Sequence, residues 1–289
     1  MVSRRHKRIA AFWQPIIKDY FDGNIEKNSL KPKQQIKSKI IWQYWGQQTD
    51  DIASLPPVVQ RCFNSVDKYK EDYQVIRLND QTISDYIDFP EFILNEDGGY
   101  KFSRVFFSDL LRLALLHVYG GIWLDATILL TAPLSEEFSN QDYFVFQRSD
   151  DEPNKSFWAG PHTSYWSWDP RYRIKMLNSI IFAKKDNLVI AIMLDLILHY
   201  WKTQHKIINY FFFQILYNEL INGQLKNQQC MVVSDTLPHL MRVLVDGHDY
   251  IPLSKLLEVV NIHKLTYFDE DKIAKLDELI AQAEQLDKS

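Results

Sequence analysis

Two carboxylates and a guanidinium stand close together near the middle of the chain, in Ser108-Asp109-Leu110-Leu111-Arg112 and in Tyr119-Gly120-Gly121-Ile122-Trp123-Leu124-Asp125-Ala126-Thr127. Asp109 and Arg112 are three apart among apolar neighbours, so on a helix they share a face, and burial makes an unpaired charge expensive. A mutual ion pair inside the core satisfies that pattern, and so does a clamp that hydrogen-bonds the hydroxyls of a sugar. Asp125 directly follows a three-residue apolar strand, where the carboxyl edge of a parallel sheet opens onto a ligand crevice. A carboxylate there is a hard-oxygen ligand suited to Mn2+ or Mg2+, which would act as a Lewis acid on a departing diphosphate. An isolated Asp at such a place equally serves as a cap or turn residue.

The elements that must carry these groups are readable from periodicity. Ile40 to Trp45 is a β-prone run, Val58 to Tyr69 has helical spacing after Pro56-Pro57, and Tyr73 to Leu78 is a second strand. This order predicts a βαβ unit and a largely parallel sheet. Ser103 to Tyr119 is apolar on nearly every face and reads as a buried helix ended by Gly120-Gly121. Further strands are expected at Ile122 to Leu124, Tyr143 to Gln147, Ser179 to Ala183 and Met231 to Val233. Helices are expected at Leu188 to Trp201, Tyr210 to Leu220 and Lys272 to Leu286. The fold class is α/β. Residues 1–38 read as a helical arm with an Asn-, Lys- and Gln-rich connector, and residues 39–289 as a single domain with a C-terminal helix.

Composition narrows the function classes. With 33 Lys plus Arg against 37 Asp plus Glu, the chain has a net charge of -4, which supplies no global field for nucleic acid. Cys62 and Cys230 are the only cysteines and lie far apart, against a disulfide framework or zinc ribbon, and a reducing cytoplasm is expected. The start, Arg4-Arg5-His6-Lys7-Arg8 then Ile9-Ala10-Ala11-Phe12-Trp13, is too short in its apolar part for a secretory signal and is interrupted by Gln14 and Pro15. Residues 4–17 fit either a helix packed on its own domain or a peripheral contact with an anionic membrane, through basic side chains beside Phe12, Trp13, Ile16 and Ile17.

The order of these motifs resembles the capsular polysaccharide synthesis glycosyltransferases and the wider group with a DXD sugar-binding motif. The resemblance runs over roughly residues 39–268, from Ile40-Ile41-Trp42-Gln43-Tyr44-Trp45-Gly46 through the Ser-Asp-x-x-Arg helix to the Gly-Gly-Ile-Trp-Leu-Asp strand. It implies a GT-A-like, Rossmann-like sheet flanked by helices, a nucleotide-sugar donor, most often a UDP-sugar, and Mn2+ or Mg2+. It further implies a glycan or lipid-linked acceptor in bacterial surface polysaccharide synthesis, and retention at the anomeric carbon.

Carried over by position, the resemblance makes Asp109 and Arg112 donor-sugar contacts and Asp125 the first acidic position of the metal motif. Thr127 stands where the wider group has a second Asp, and a hydroxyl is a weaker ligand for a hard cation. The segment Asn261-Ile262-His263-Lys264 is similar to a C-terminal His-Lys element that would add His263 to the metal and bring Lys264 to a phosphate; a lone His is also a common hydrogen-bonded structural residue. Gln43, Tyr44 and Trp45 would face the base and ribose, with Trp45 stacking, although Trp42 and Trp45 also suit core packing. Phe157, Trp158, Tyr165, Trp166 and Trp168, with Gly160, Pro161 and Asp169, form an aromatic segment fit for a sugar platform or a hydrophobic lid. Asp195 and Asn178-Ser179 are further candidates on the acceptor side. The alternative to an enzyme is a catalytically inactive sugar-nucleotide or glycan-binding protein, or a scaffold, of the same fold.

Overall fold

A computed structural model describes residues 2–47, 51–160 and 165–286. Its centre is a five-stranded sheet of order β2-β1-β3-β6-β5, in which β1 is Ile40–Tyr44, β2 Gln74–Leu78, β3 Gly121–Leu124, β5 Tyr143–Gln147 and β6 Met176–Ala183. β1 lies parallel to both β2 and β3, while β6 runs antiparallel to β3 and β5. Four strands therefore point one way and one opposes them. Helix α2 (Pro57–Tyr69) connects β1 to β2, which is the expected βαβ crossover. Because β1, β2 and β3 share a direction, their carboxyl ends at Tyr44, Leu78 and Leu124 lie along one sheet edge.

Helix α3 (Arg104–Tyr119) is buried along almost its whole length, between the sheet and helix α6 (Leu188–Thr203). Its apolar surroundings follow from its sequence, which offers no polar face. The chain reverses from α3 into β3 through Gly120 and Gly121, at φ of +73° and +106°. A Cβ on Gly120 would sit 2.6 Å from the Lys185 amide nitrogen, and one on Gly121 2.6 Å from the Ile40 carbonyl oxygen. Glycine is required twice over, by conformation and by the closeness of neighbouring backbone.

Helix α1 (Val2–Phe21) lies against α6 and α7 (Phe212–Ile221). Trp13 is fully buried there and its indole donates to the Phe212 carbonyl at 2.9 Å. Ile9, Ala10 and Ile17 are buried as well, whereas Arg4, Arg5, Lys7 and Arg8 are exposed. The aromatic half of the expected membrane contact is thus corrected, because Trp13 and Ile17 face the protein. Asp195, buried on α6, accepts from the Tyr20 hydroxyl at 2.7 Å and from the Asn28 amide at 2.8 Å, so it fastens this arm and its connector. It has no place on the acceptor side. Among the described residues no helix is long and apolar enough to cross a membrane.

Two short strands missed by periodicity, β4 (Ile128–Leu130) and β7 (Ile262–Lys264), pair antiparallel beside the main sheet. The expected strand at Met231 to Val233 does not form, since its contact with β5 is confined to the Gln147–Ser234 bridge and adjoining backbone bonds. The remaining helices are α4 (Glu136–Ser139), α5 (Lys155–Ala159), α8 (Leu240–Val245), α9 (Leu253–Val259) and α10 (Glu270–Leu286).

Candidate active site

At the carboxyl edge of the sheet lies a cavity of about 730 Å3, within the size range of small-molecule sites. Its floor is the motif region. Asp109 and Arg112 project from α3 and are only 5% and 3% exposed. Arg112 Nη2 lies 3.3 Å from Asp109 and 3.6 Å from Asp125. Nη2 also donates to the Ser108 hydroxyl at 2.9 Å, Nε donates to the Ser108 carbonyl at 3.0 Å and Nη1 to the Asn178 carbonyl. The Trp123 ring lies under its carbon at 5.1 Å. Asp109 and Arg112 are thus a buried ion pair, as one reading of their spacing has it, and both also line the cavity.

Asp125 is placed by register. Opposite Leu124 on β6 is Ile180, so the Asp125 amide reaches the Ser179 carbonyl at 2.9 Å. The Trp123 indole donates to Asp125 Oδ1 at 2.8 Å, and Lys264 Nζ donates to its Oδ2 at 3.3 Å and to Thr127 Oγ1 at 2.7 Å. Burial pushes the Asp125 carboxyl up, but Arg112, Lys264 and the indole together outweigh it and hold the group below the usual carboxylate range. Asp109 goes the other way. Burial and the charge of Asp125 push it up to about 6, against the pull of Arg112 and of the Asn178 amide that donates to it at 2.9 Å.

One wall contains Tyr44 and Trp45 at the end of β1; the other contains Tyr165, Trp166, Tyr210 and Tyr267. The aromatic segment is held firmly at its base. Arg148 makes a bidentate buried pair with Asp235 at 3.0 Å for each bond, and its guanidinium stacks among Tyr165, Trp166 and Trp168. Only Tyr165 and Trp166 of the candidate platform reach the cavity; Trp158 is packed beneath Trp166, and Pro161 lies outside the described residues.

Two candidates point elsewhere, and strand geometry explains both. Successive side chains on a strand face opposite sides. On β1, Tyr44 lines the cavity, while the neighbouring Gln43 is buried away from it and accepts from Arg77 at 2.9 Å. On β7, Lys264 faces the cavity, while His263 is fully buried, 2.9 Å from the Thr131 hydroxyl and absent from the cavity wall. Burial lowers the His263 pKa to about 3, so its ring is neutral. The expectation of His263 as a ligand beside Asp125 and Thr127 is therefore corrected, and so is the placement of Gln43 at the base and ribose.

Among the wall residues that escaped the sequence reading are Gln214, His239 and Arg242. Gln214 on α7 is 4% exposed, and its side-chain carbonyl finds no partner among the described residues. His239, neutral because burial lowers its pKa to about 3, and Arg242 approach from the segment before and within α8. No local motif marks any of them, although the polar Gln214 within Tyr210-Phe211-Phe212-Phe213-Gln214-Ile215-Leu216 was a visible break in an apolar run.

A sheet edge gathers cations and carboxylates under an aromatic-walled cavity in an α/β fold. The chain belongs to the capsular polysaccharide synthesis protein family, whose model matches residues 1–282. It is 28% identical over 172 residues to the O-glycosyltransferase braB of Annulohypoxylon truncatum, a match covering 56% of this chain and 38% of that relative. Among solved structures, the PaToxG glycosyltransferase overlaps 99% of this chain and 97% of its own, at a TM-score of 0.39 and 14% identity. The chain thus spans well under half the length of the curated glycosyltransferase it matches.

Proposed function

We propose that the chain transfers a sugar from a nucleoside diphosphate sugar, in the first instance a UDP-sugar, to a glycan or lipid-linked oligosaccharide during bacterial surface polysaccharide synthesis. The observation that carries this reading is the floor of the cavity, where Asp109, Arg112, Asn178 and Asp125 form one connected polar network beneath aromatic walls. Asp109 and Arg112 present hydrogen-bonding groups to sugar hydroxyls, Trp45 offers a face to the base, and Lys264 offers a point charge to phosphate. The unpartnered Gln214 carbonyl is available to a ligand hydroxyl, because a buried acceptor left unpaired is costly. The sheet, with four strands in one direction and one against, supports a GT-A type arrangement.

In the transfer, the bond from the anomeric carbon to the diphosphate oxygen breaks, its electron pair leaves with the diphosphate, and the acceptor oxygen bonds to that carbon. Among the described residues, the only carboxylates on the cavity wall are Asp109 and Asp125, and both are paired with cations. That leaves no free carboxylate among the described wall residues as the base for an inverting attack. Retention, with the acceptor proton passing to the departing phosphate, is the reading that this supports. The exposed Arg4, Arg5, Lys7 and Arg8 support a peripheral cytoplasmic contact with an anionic membrane through charge alone.

The expected divalent ion fits this donor set poorly. The Asp125 oxygens are engaged by Trp123 and Lys264, Thr127 accepts from Lys264, and His263 faces away. Among the described residues no three His, Cys, Asp or Glu side chains gather to hold a metal.

Incubation with a panel of nucleotide sugars, with and without oligosaccharide acceptors, tests the proposal through released nucleotide. Release from one donor should fall by roughly 100-fold or more in Asp125→Ala, because the carboxylate that holds the Lys264 ammonium in place is lost. Nucleotide binding without release from any donor or acceptor combination would instead return the inactive binding protein.

A further inference from the structure

We infer that Lys264, rather than a divalent metal ion, is the cation that faces the donor's diphosphate, an inference that rests on the glycosyl-transfer reading above. Lys264 Nζ sits between two of the three residues expected to hold a metal, 2.7 Å from Thr127 Oγ1 and 3.3 Å from Asp125 Oδ2. A divalent ion would need the same lone pairs at about 2.0 to 2.2 Å, so ammonium and metal compete for one seat.

The seat is built for the lysine. β7 pairs with β4 so that Lys264 stands opposite Ile128, and the next residue, Leu265, donates its amide to the Thr127 carbonyl at 2.9 Å. The backbone carrying the ammonium is thereby bonded to the backbone carrying Thr127. The same pairing turns His263 to the opposite side, where it meets Thr131.

Charge balance points the same way. Arg112 already serves Asp109 and Asp125, and Lys264 completes Asp125. An added divalent ion would meet no unneutralised carboxylate in this cluster and would be repelled by two fixed cations. A diphosphate, by contrast, meets a preorganised ammonium. As the bond from the anomeric carbon to the diphosphate breaks, the electron pair settles on the phosphate oxygen and Lys264 offsets the new charge without giving up its proton. The acceptor's proton goes to the released diphosphate, so the lysine ends the step as it began.

The test is equilibrium binding of UDP and GDP to the full chain by titration calorimetry, in EDTA and in Mn2+, together with electron paramagnetic resonance of Mn2+ added to the protein. Affinity for the nucleotide that binds should agree within about 2-fold between the two conditions, and the protein alone should leave the free Mn2+ signal undiminished. Lys264→Ala, checked for folding by its melting temperature, should weaken that affinity by about 30-fold or more in EDTA, and Lys264→Arg should restore most of it. Bound Mn2+ in the wild-type protein that disappears in Asp125→Asn, or nucleotide affinity that collapses in EDTA, would overturn the inference. Absence of any nucleotide binding in both conditions would overturn the glycosyl-transfer reading itself, and the inference with it.

Discussion

Asp109 and Asp125 share one guanidinium yet are driven in opposite directions, and the difference lies in what else each touches. Asp125 has a second cation and an indole donor; Asp109 has one amide and the repulsion of Asp125. With its pKa raised to about 6, Asp109 is ionised at neutral pH and takes up a proton on mild acidification. A carboxylate that accepts from a sugar hydroxyl then loses one acceptor site. We expect kcat/KM to fall about tenfold per pH unit below that pKa, and Asp109→Asn to show lower activity without this acidic limb. A pH series on both proteins checks it. Since an unfolded Asp titrates near 4, the folded state binds the proton more tightly between about 4 and 6. This group's contribution to stability is accordingly present at low pH and lost as pH rises through that window.

At the scale of elements, the site depends on one reversal and two alternations. The turn between α3 and β3 brings Asp109 and Arg112 beside Asp125, and it passes through Gly120 and Gly121 in conformations that side chains rarely adopt. Gly121→Ala adds a Cβ to a residue at φ +106°, 2.6 Å from the Ile40 carbonyl in the neighbouring strand. The expected loss is at least about 2 kcal/mol, from left-handed strain together with displacement of β1; urea unfolding of the variant measures it. Alternation along β1 and β7 selects Tyr44 over Gln43 and Lys264 over His263. A one-residue change of register in β7 would exchange the ammonium for the imidazole.

The whole molecule places its N-terminal helix inside the same apolar core that supports the site. Trp13 contacts Tyr200 and Phe212, and Phe212 in turn meets Phe106 of α3, two residues before Ser108. Trp13→Ala should cost about 3–5 kcal/mol, as for other large aromatic truncations in cores. Removing residues 1–37 would also uncover the α6 and α7 surfaces and free Asp195 from its partners. That truncated chain should lose cooperative thermal unfolding and aggregate, where an accessory arm could be removed with the melting transition intact.

Local pattern carried much of this architecture. β1, α2, β2, α3 and β3 were legible because each buries a face at the period of its own backbone, and the Asp-x-x-Arg helix followed by Gly-Gly and a strand-end Asp sits in under twenty residues. Met231 to Val233 had the composition of a strand but lies where it gains one bridge, since pairing depends on a partner that composition does not specify. His263 and Lys264 were inseparable as a motif, and only the pairing of β7 with β4 determined which faces the cavity. His239 and Arg242 come from segments far from the motif, with nothing in their neighbours to announce them. The sequence by itself determined the elements and the central charged cluster, because those follow from contacts a few residues apart. Tertiary structure decided the walls, the cation seat beside Asp125 and the burial of the N-terminal helix, because packing and strand register bring those groups together across the chain.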